Sequence, residues 1–389
     1  MTRNDWAQFP ATVRRVGLEV LVHGPLARTE LADRLHLSTA SLSRLTKPLL
    51  QAGLIQERGE AESNRTGRPM QPLEVNSRAQ QFIGIKLTGT HAHAARTDLR
   101  ATIEASITRP LQSTQVDDVV ALLSELVQDL RGQATLSGVG VGIGGLVRDF
   151  STVASASFLN WSEIDLAPLL TDELDVPVTV TNDIDSLVEA ENWFGHGREC
   201  ENFAVLTIGA GIGCGLVAHD RLVTSPDAGL GLIGHLPLDS SGPECPDGHR
   251  GCANAYLGMH SLIAQSSIAT GRPLSYEEVL QFAVEGDPII DSIVGIAAQR
   301  LGGLIATIAS ITLAQRIILT GEGVQLATAA STRMHEGMMR HRHPRATPID
   351  LVIADHDATL WARGAAAVAI QRTVLAEPPT VPAGGARRA

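Results

Sequence analysis

Residues 28–55, RTELADRLHLSTASLSRLTKPLLQAGLI, constrain the fold more tightly than any other stretch of the chain. Leu31, Ala32 and Leu35 recur at helical spacing. A three-residue turn, His36-Leu37-Ser38, follows, and then Leu42, Leu45, Leu49 and Leu50 repeat the spacing. Thr29 is expected to cap the first helix, Ser38 or Thr39 the second, and Gly53 to end it. Pro48 deletes one helical hydrogen bond, so a kink is expected there. An earlier amphipathic segment, ATVRRVGLEVLVH (11–23), stops at Gly24-Pro25. Two short helices around a tight turn form a helix-turn-helix. Ser41, Ser43, Arg44 and Lys47 fall on the outer face of its second helix. The small hydroxyl residues Ser38, Thr39 and Ser41 allow close approach to base edges, and Arg44 and Lys47 reach bases or phosphates.

Leu54–Arg58 and Pro72–Val75 read as two strands around a polar loop ending in Arg65-Thr66-Gly67-Arg68-Pro69. That arrangement is a wing, and Arg65 and Arg68 are expected to enter a narrow A·T-rich minor groove. The competing reading is a three-helix module used only for protein contacts. Charge is distributed in keeping with DNA binding. Residues 1–76 carry ten basic and eight acidic side chains, whereas the whole chain has net charge −11.

From Phe82 the pattern changes to strands alternating with helices. FIGIKLTGTHAHAARTDLRATIEAS reads as three successive strands, and a helix is expected near 115–132. GVGVGIGGLV is a buried strand ending in a glycine turn, and VPVTVTNDIDSLVEAENWFG is a strand followed by a helix. FAVLTIGAGIGCGLVAHDRLV is a hairpin with a glycine-rich bend, and RIILTGEGVQLA is strand, glycine turn, helix. Two α/β halves with glycine turns at strand ends lead one to expect a ligand cleft between them. The tail from Glu377 is rich in Pro, Gly and Ala and is expected to be disordered. The expected boundaries are 1–76, 82–375 and 376–389.

Thr181-Asn182-Asp183, Gly209-Ala210-Gly211-Ile212-Gly213, Gly231-Leu232-Ile233-Gly234-His235 and the run from Cys245 to Cys252 together resemble the ROK family of repressors and sugar kinases. The resemblance implies an α/β protein with an actin-like (ribonuclease H-like) two-lobed sugar-kinase fold behind a winged helix-turn-helix. It further implies a homodimeric or larger transcriptional regulator, commonly a repressor of carbohydrate-related genes, whose grip on an inverted-repeat operator responds to a sugar.

In the family's kinases an aspartate after Asn is the general base, and Asp183 stands at that position. The family's first phosphate loop reads Asp-x-Gly-Gly-Thr, whereas this chain has Lys86-Leu87-Thr88-Gly89-Thr90. A cation cannot help hold Mg²⁺, so no phosphotransferase activity is expected. The alternative is an ATP-dependent sugar kinase with a DNA-binding head, and a third reading makes the body a ligand-free dimerisation scaffold. The sugar pocket departs too, with Leu232 and Asn254 where the family has glutamates; Asn160, Asn182, Asp183, His235 and Asn254 remain as expected ligand contacts.

The resemblance also implies structural Zn²⁺ held by one His and three Cys. Here His235, Cys245 and Cys252 are kept and Asp247 replaces the middle cysteine, with His249 competing for the fourth place. Four cysteines without a disulfide pattern, and a start without an apolar leader, lead to the expectation of a cytoplasmic protein.

Overall fold

The computed structural model describes residues 6–58, 71–354 and 356–376. The chain divides into two compact units, one comprising 1–194 together with 358–389, the other 195–357.

The first unit opens with α1 (Ala11–His23), α2 (Arg28–Arg34), α3 (Thr39–Gln51), β1 (Ile55–Glu57) and β2 (Leu73–Val75). β1 and β2 pair antiparallel, and Leu26 bridges to Leu73 as a third edge, so the helices and the two strands of the expected wing are those the sequence predicts, its loop lying outside the described residues. The cap of α2 differs from the expected one. Ala27 occupies the N-cap and makes no side-chain bond, which places Thr29 inside the first turn. Ser38 does cap α3, accepting from the Ser41 amide at 3.2 Å. Pro48 does not end α3, because Leu49 on the inner face is fully buried and the flanking turns hold their packing.

Next come β3 (Gln81–Leu87), β4 (His91–Asp98), β5 (Ile103–Pro110), α4 (Val116–Leu130), β6 (Leu136–Ile143), β7 (Leu146–Arg148), β8 (Thr152–Ala156), β9 (Trp161–Asp165), α5 (Leu166–Leu174), β10 (Val178–Asn182) and α6 (Asp183–Phe194). The second unit contains β11 (Asn202–Ile208), β12 (Ile212–Ala218), β13 (Arg221–Leu222), α7 (Ala253–Leu257), α8 (Met259–Thr270), α9 (Tyr276–Glu285), α10 (Pro288–Thr312), β14 (Arg316–Thr320), α11 (Gln325–Ala329), α12 (Ser331–Arg340) and β15 (Asp350–Ile353). The chain then returns to the first unit as α13 (Ala358–Leu375).

The two sheets share one topology. The first runs β10-β6-β3-β4-β5 and the second β15-β14-β11-β12-β13, each with three antiparallel strands on one side and two parallel strands on the other. That repetition is the duplicated α/β plan of an actin-like fold. α10 is long and apolar enough to cross a membrane by composition. Its Val294, Leu301, Leu304 and Ile305 are fully buried in the second unit's core, so its apolarity serves packing.

α13 lies against β3 and β6 through close backbone approach. Gly84 and Gly140 are register partners on those strands, and a Cβ on either would collide with α13 backbone at Ala362 or Ala365. The other side of α13 supplies Ala366, Ala369, Ile370 and Val374 to the same apolar cluster as Trp6, Val16, Leu21 and Leu49 of the N-terminal module. Polar ties reinforce that seat. Trp6 Nε1 donates to Gln80 Oε1 at 2.9 Å, and Arg100 Nη1 donates to the Gly24 carbonyl at 2.9 Å.

Candidate functional site

The outer face of α3 carries Thr39, Ser43, Arg44 and Lys47, all exposed, while Leu42, Thr46 and Leu49 are buried beneath it. Ser38 and Ser41 face each other at 3.1 Å between hydroxyls, so their first role is to cap the helix start. Arg28, which sequence reasoning passed over, holds this face in place. Its guanidinium donates to Thr46 Oγ1 at 3.3 Å and pairs with Glu57 of β1 at 2.5 Å, tying α2, α3 and the wing together. Arg65 and Arg68 lie outside the described residues.

In the first unit, Lys86 at the end of β3 and Asp183 at the start of α6 form an ion pair whose side chains are 13% and 14% exposed. Lys86 Nζ also stands 4.9 Å from the ring centroid of Trp361 on α13. The expected general base is therefore paired with Lys86. Asn182 is committed as well. Its amide donates to the Gly145 carbonyl at 2.9 Å and its Oδ1 accepts from the amides of Ile184 (2.9 Å) and Asp185 (3.2 Å), capping α6. Asn160 is exposed in a left-handed conformation (φ 57°) after a short turn that carries the half-exposed Phe158.

In the second unit, His235, Cys245, His249 and Cys252 bring their ligand atoms within 4.8 Å of one another. His235 Nδ1 and His249 Nδ1 are 2.9 Å apart, and Cys245 Sγ lies 4.0 Å and 3.6 Å from them. A tetrahedron with metal–nitrogen and metal–sulfur bonds of about 2.0 and 2.3 Å has edges of roughly 3.3–3.8 Å, so this set can close on one metal ion. Of the two residues the sequence offers for the fourth place, Asp247 and His249, it is His249 that stands in this cluster. Cys245 N bonds to the His249 carbonyl at 2.8 Å and Gly248 takes φ +80°, a turn that folds His249 inward and leaves the Asp247 side chain 66% exposed. The Asp247 carboxylate sits 3.5 Å from His235 Nε2, the ring nitrogen facing away from the cluster, where it orients that imidazole.

Residues 82–372 match the description of the ROK family. The chain belongs to the ROK family. Among its relatives, the xylose repressor of Bacillus subtilis is 26% identical over 270 residues, covering 68% of this chain and 70% of that protein. The DNA-binding transcriptional dual regulator NagC of Escherichia coli is 26% identical over 315 residues, 77% of each chain. The crystal structure of a ROK family transcriptional regulator, a homolog of the E. coli MLC protein, aligns over 94% of this chain and all of its own (TM-score 0.78, 22% identity). A Streptomyces griseus ROK family glucokinase aligns over 75% of this chain (TM-score 0.63, 20% identity). The actin-like ROK fold is thus shared with regulators and kinases. Coverage of 94% also takes in most of the segment ahead of residue 82.

Within this ROK chain, Asn254 works differently from its expected part in ligand binding. Its Oδ1 accepts from the Ile212 amide at 2.9 Å, and its side chain fills the space beside Gly234, so it staples the glycine bend of the β11–β12 hairpin to the loop before His235.

The start of α6 is unusually acidic. Asp185 is pushed up to about 6 from the ordinary 3.8, first by burial and then by the carboxylates of Asp183 and Glu189. Because its folded-state pKa is raised, the folded protein binds the proton more tightly, and stability falls as pH rises from about 4 through 6. Asp185→Asn is therefore expected to raise stability at pH 7.5 by up to roughly 2–3 kcal/mol and to change little at pH 4. Urea unfolding at the two pH values checks this, and an unchanged midpoint at pH 7.5 refutes it.

Proposed function

We propose that the chain is a DNA-binding transcriptional regulator, in all expectation a repressor of carbohydrate-related genes. Its winged helix-turn-helix (1–76) reads an operator, and its kinase-like part (82–375) responds to a sugar or sugar-derived ligand. The observation that carries this reading is the Lys86–Asp183 ion pair behind an exposed recognition face. The Lys86 ammonium pairs with Asp183, the carboxylate at the general-base position of the family's kinases, and Lys86 stands where their first phosphate loop has the acid that helps hold Mg²⁺. The names of its relatives, xylose repressor and NagC, support the same direction.

Ser38, Thr39, Ser41, Arg44 and Lys47 face the major groove in this reading, with the wing arginines Arg65 and Arg68 beside the minor groove. A two-fold homodimer sets two such faces in successive major grooves, so the operator is an inverted repeat. Asn160 and Asp183 are polar groups that the first unit offers to ligand. Zn²⁺ is the metal that suits two thiolates and two imidazoles in a closed set, and its part is to hold the 235–252 loop. The protein acts in the cytoplasm, where reduced cysteines and DNA coincide.

The test is genome-wide mapping of bound DNA, followed by titration of the mapped site with full-length protein. Arg44→Ala is expected to weaken operator binding by about 1–3 kcal/mol, roughly ten- to a hundredfold. Unchanged affinity for the mapped site removes α3 as the recognition helix. Sugar-dependent ATP turnover by the wild type overturns the regulator reading in favour of a kinase.

A further inference from the structure

Two glycine turns lie side by side in the second unit, at the carboxyl ends of the adjacent parallel strands β11 and β14. One is Gly209-Ala210-Gly211, leading into β12; the other is Gly321-Glu322-Gly323, leading into α11. The two are knit together, since Gly323 N donates to the Ile208 carbonyl at 2.8 Å and a Cβ on Gly321 would strike Ile208 backbone. Paired glycine turns at the carboxyl ends of neighbouring strands are where open α/β sheets accept ligands, and amides in such turns suit phosphate oxygens.

Here the seat is taken by the protein itself. Glu322 folds its carboxylate directly over Gly209, into the volume a Cβ at that position would fill. Its other oxygen lies 3.7 Å from His356 Nε2, which draws the carboxylate across the turn. Two amides at the ends of the turn are also met internally: Gly209 N by the Gly211 carbonyl at 3.0 Å, and Ile212 N by Asn254 at 2.9 Å. A phosphate entering over Gly209 meets the Glu322 carboxylate.

We propose that Glu322 is the specificity-determining residue that closes the 209–211 turn to phosphate-bearing ligands, so that regulation by this chain needs no nucleotide. The proposal rests on the reading of the chain as a regulator and adds the residue that sets which ligand chemistry the second unit refuses. Like charge at contact distance is repulsive, and side-chain volume adds to it. Glu322→Gly removes both, whereas Glu322→Gln removes charge alone.

The experiment titrates full-length protein with a fluorescent ADP analogue in the presence of Mg²⁺, alongside a urea melt and operator binding for each variant. Wild type is expected to show no saturable binding. Glu322→Gly is expected to bind at least about tenfold more tightly than wild type, and Glu322→Gln to fall between them. His356→Ala keeps the carboxylate and is expected to gain less than Glu322→Gly. All variants are expected to retain operator binding, because the substitutions lie outside the N-terminal module. Wild-type binding as tight as that of Glu322→Gly overturns the proposal, as does a folded Glu322→Gly that gains nothing. Neither result touches the regulator reading, which fails only if the wild type turns over ATP or ignores its operator.

Discussion

Cys252→Ser is expected to abolish metal binding at the proposed Zn²⁺ site, and His249→Ala to do the same, while Asp247→Ala retains it. The ranking follows from geometry. Cys252 is fully buried within the ligand set and His249 Nδ1 lies 2.9 Å from His235 Nδ1, whereas Asp247 touches only the outer nitrogen of His235. Removing one of four direct ligands from a structural site costs most of its affinity, while an outer carboxylate is worth about 10–100-fold. Among the described residues, the other bonds of the 237–252 loop run mostly within the loop itself. The Leu238 and Asp239 amides share the Gly251 carbonyl, Pro237 bridges to Cys252, and Arg300 pairs with Asp239. Loss of metal is therefore expected to expose 237–252 to protease without unfolding the sheets. Metal content by mass spectrometry, with limited proteolysis before and after chelation, measures both effects. Equal metal loss in Asp247→Ala and His249→Ala would restore Asp247 as a ligand.

Gly140→Ala is expected to lower stability by more than about 4 kcal/mol. The added Cβ would be driven into the carbonyl of Ala365, and the same change at Gly84 into the carbonyl of Ala362 and the amide of Ala366. Backbone on a buried helix has nowhere to retreat, because α13 is wedged between β3 and β6 on one side and the N-terminal module's apolar cluster on the other. Gly138→Ala, whose Cβ would meet the Phe82 ring at an ordinary 3.5 Å, is the control and is expected to cost under about 1 kcal/mol. Since α13 also seats the module that carries α3, Gly140→Ala is expected to weaken operator binding along with stability. A urea midpoint for Gly140→Ala equal to that of wild type would mean that α13 does not pack as closely as described.

The ion pair of Lys86 with Asp183 illustrates how sequence and structure divide the work. That Lys86 is the wrong charge for a cation site was legible in the chain itself, and so was the position of Asp183. Their mutual engagement was not, since 97 residues separate them and no local pattern reports which distant side chain a lysine will meet. Asn182 and Asn254 show the same limit. Both stand where ligand contacts were expected, and both spend their amides on the backbone of neighbouring turns.

What the sequence determined by itself is whatever depends on period and local turn chemistry. The three helices and the wing, the strand succession from Phe82, the Ser38 cap and the glycine bends each follow from spacing over a few residues, where backbone propensity and apolar periodicity act. What only the tertiary structure decided is partnership. His249 rather than Asp247 faces the metal cluster because the Gly248 turn aims one side chain inward and its neighbour out, and Glu322 lies over Gly209 because two strands distant in sequence run side by side. Hydrogen bonds and charges act over a few ångströms of space, and only the folded chain sets which residues come that close.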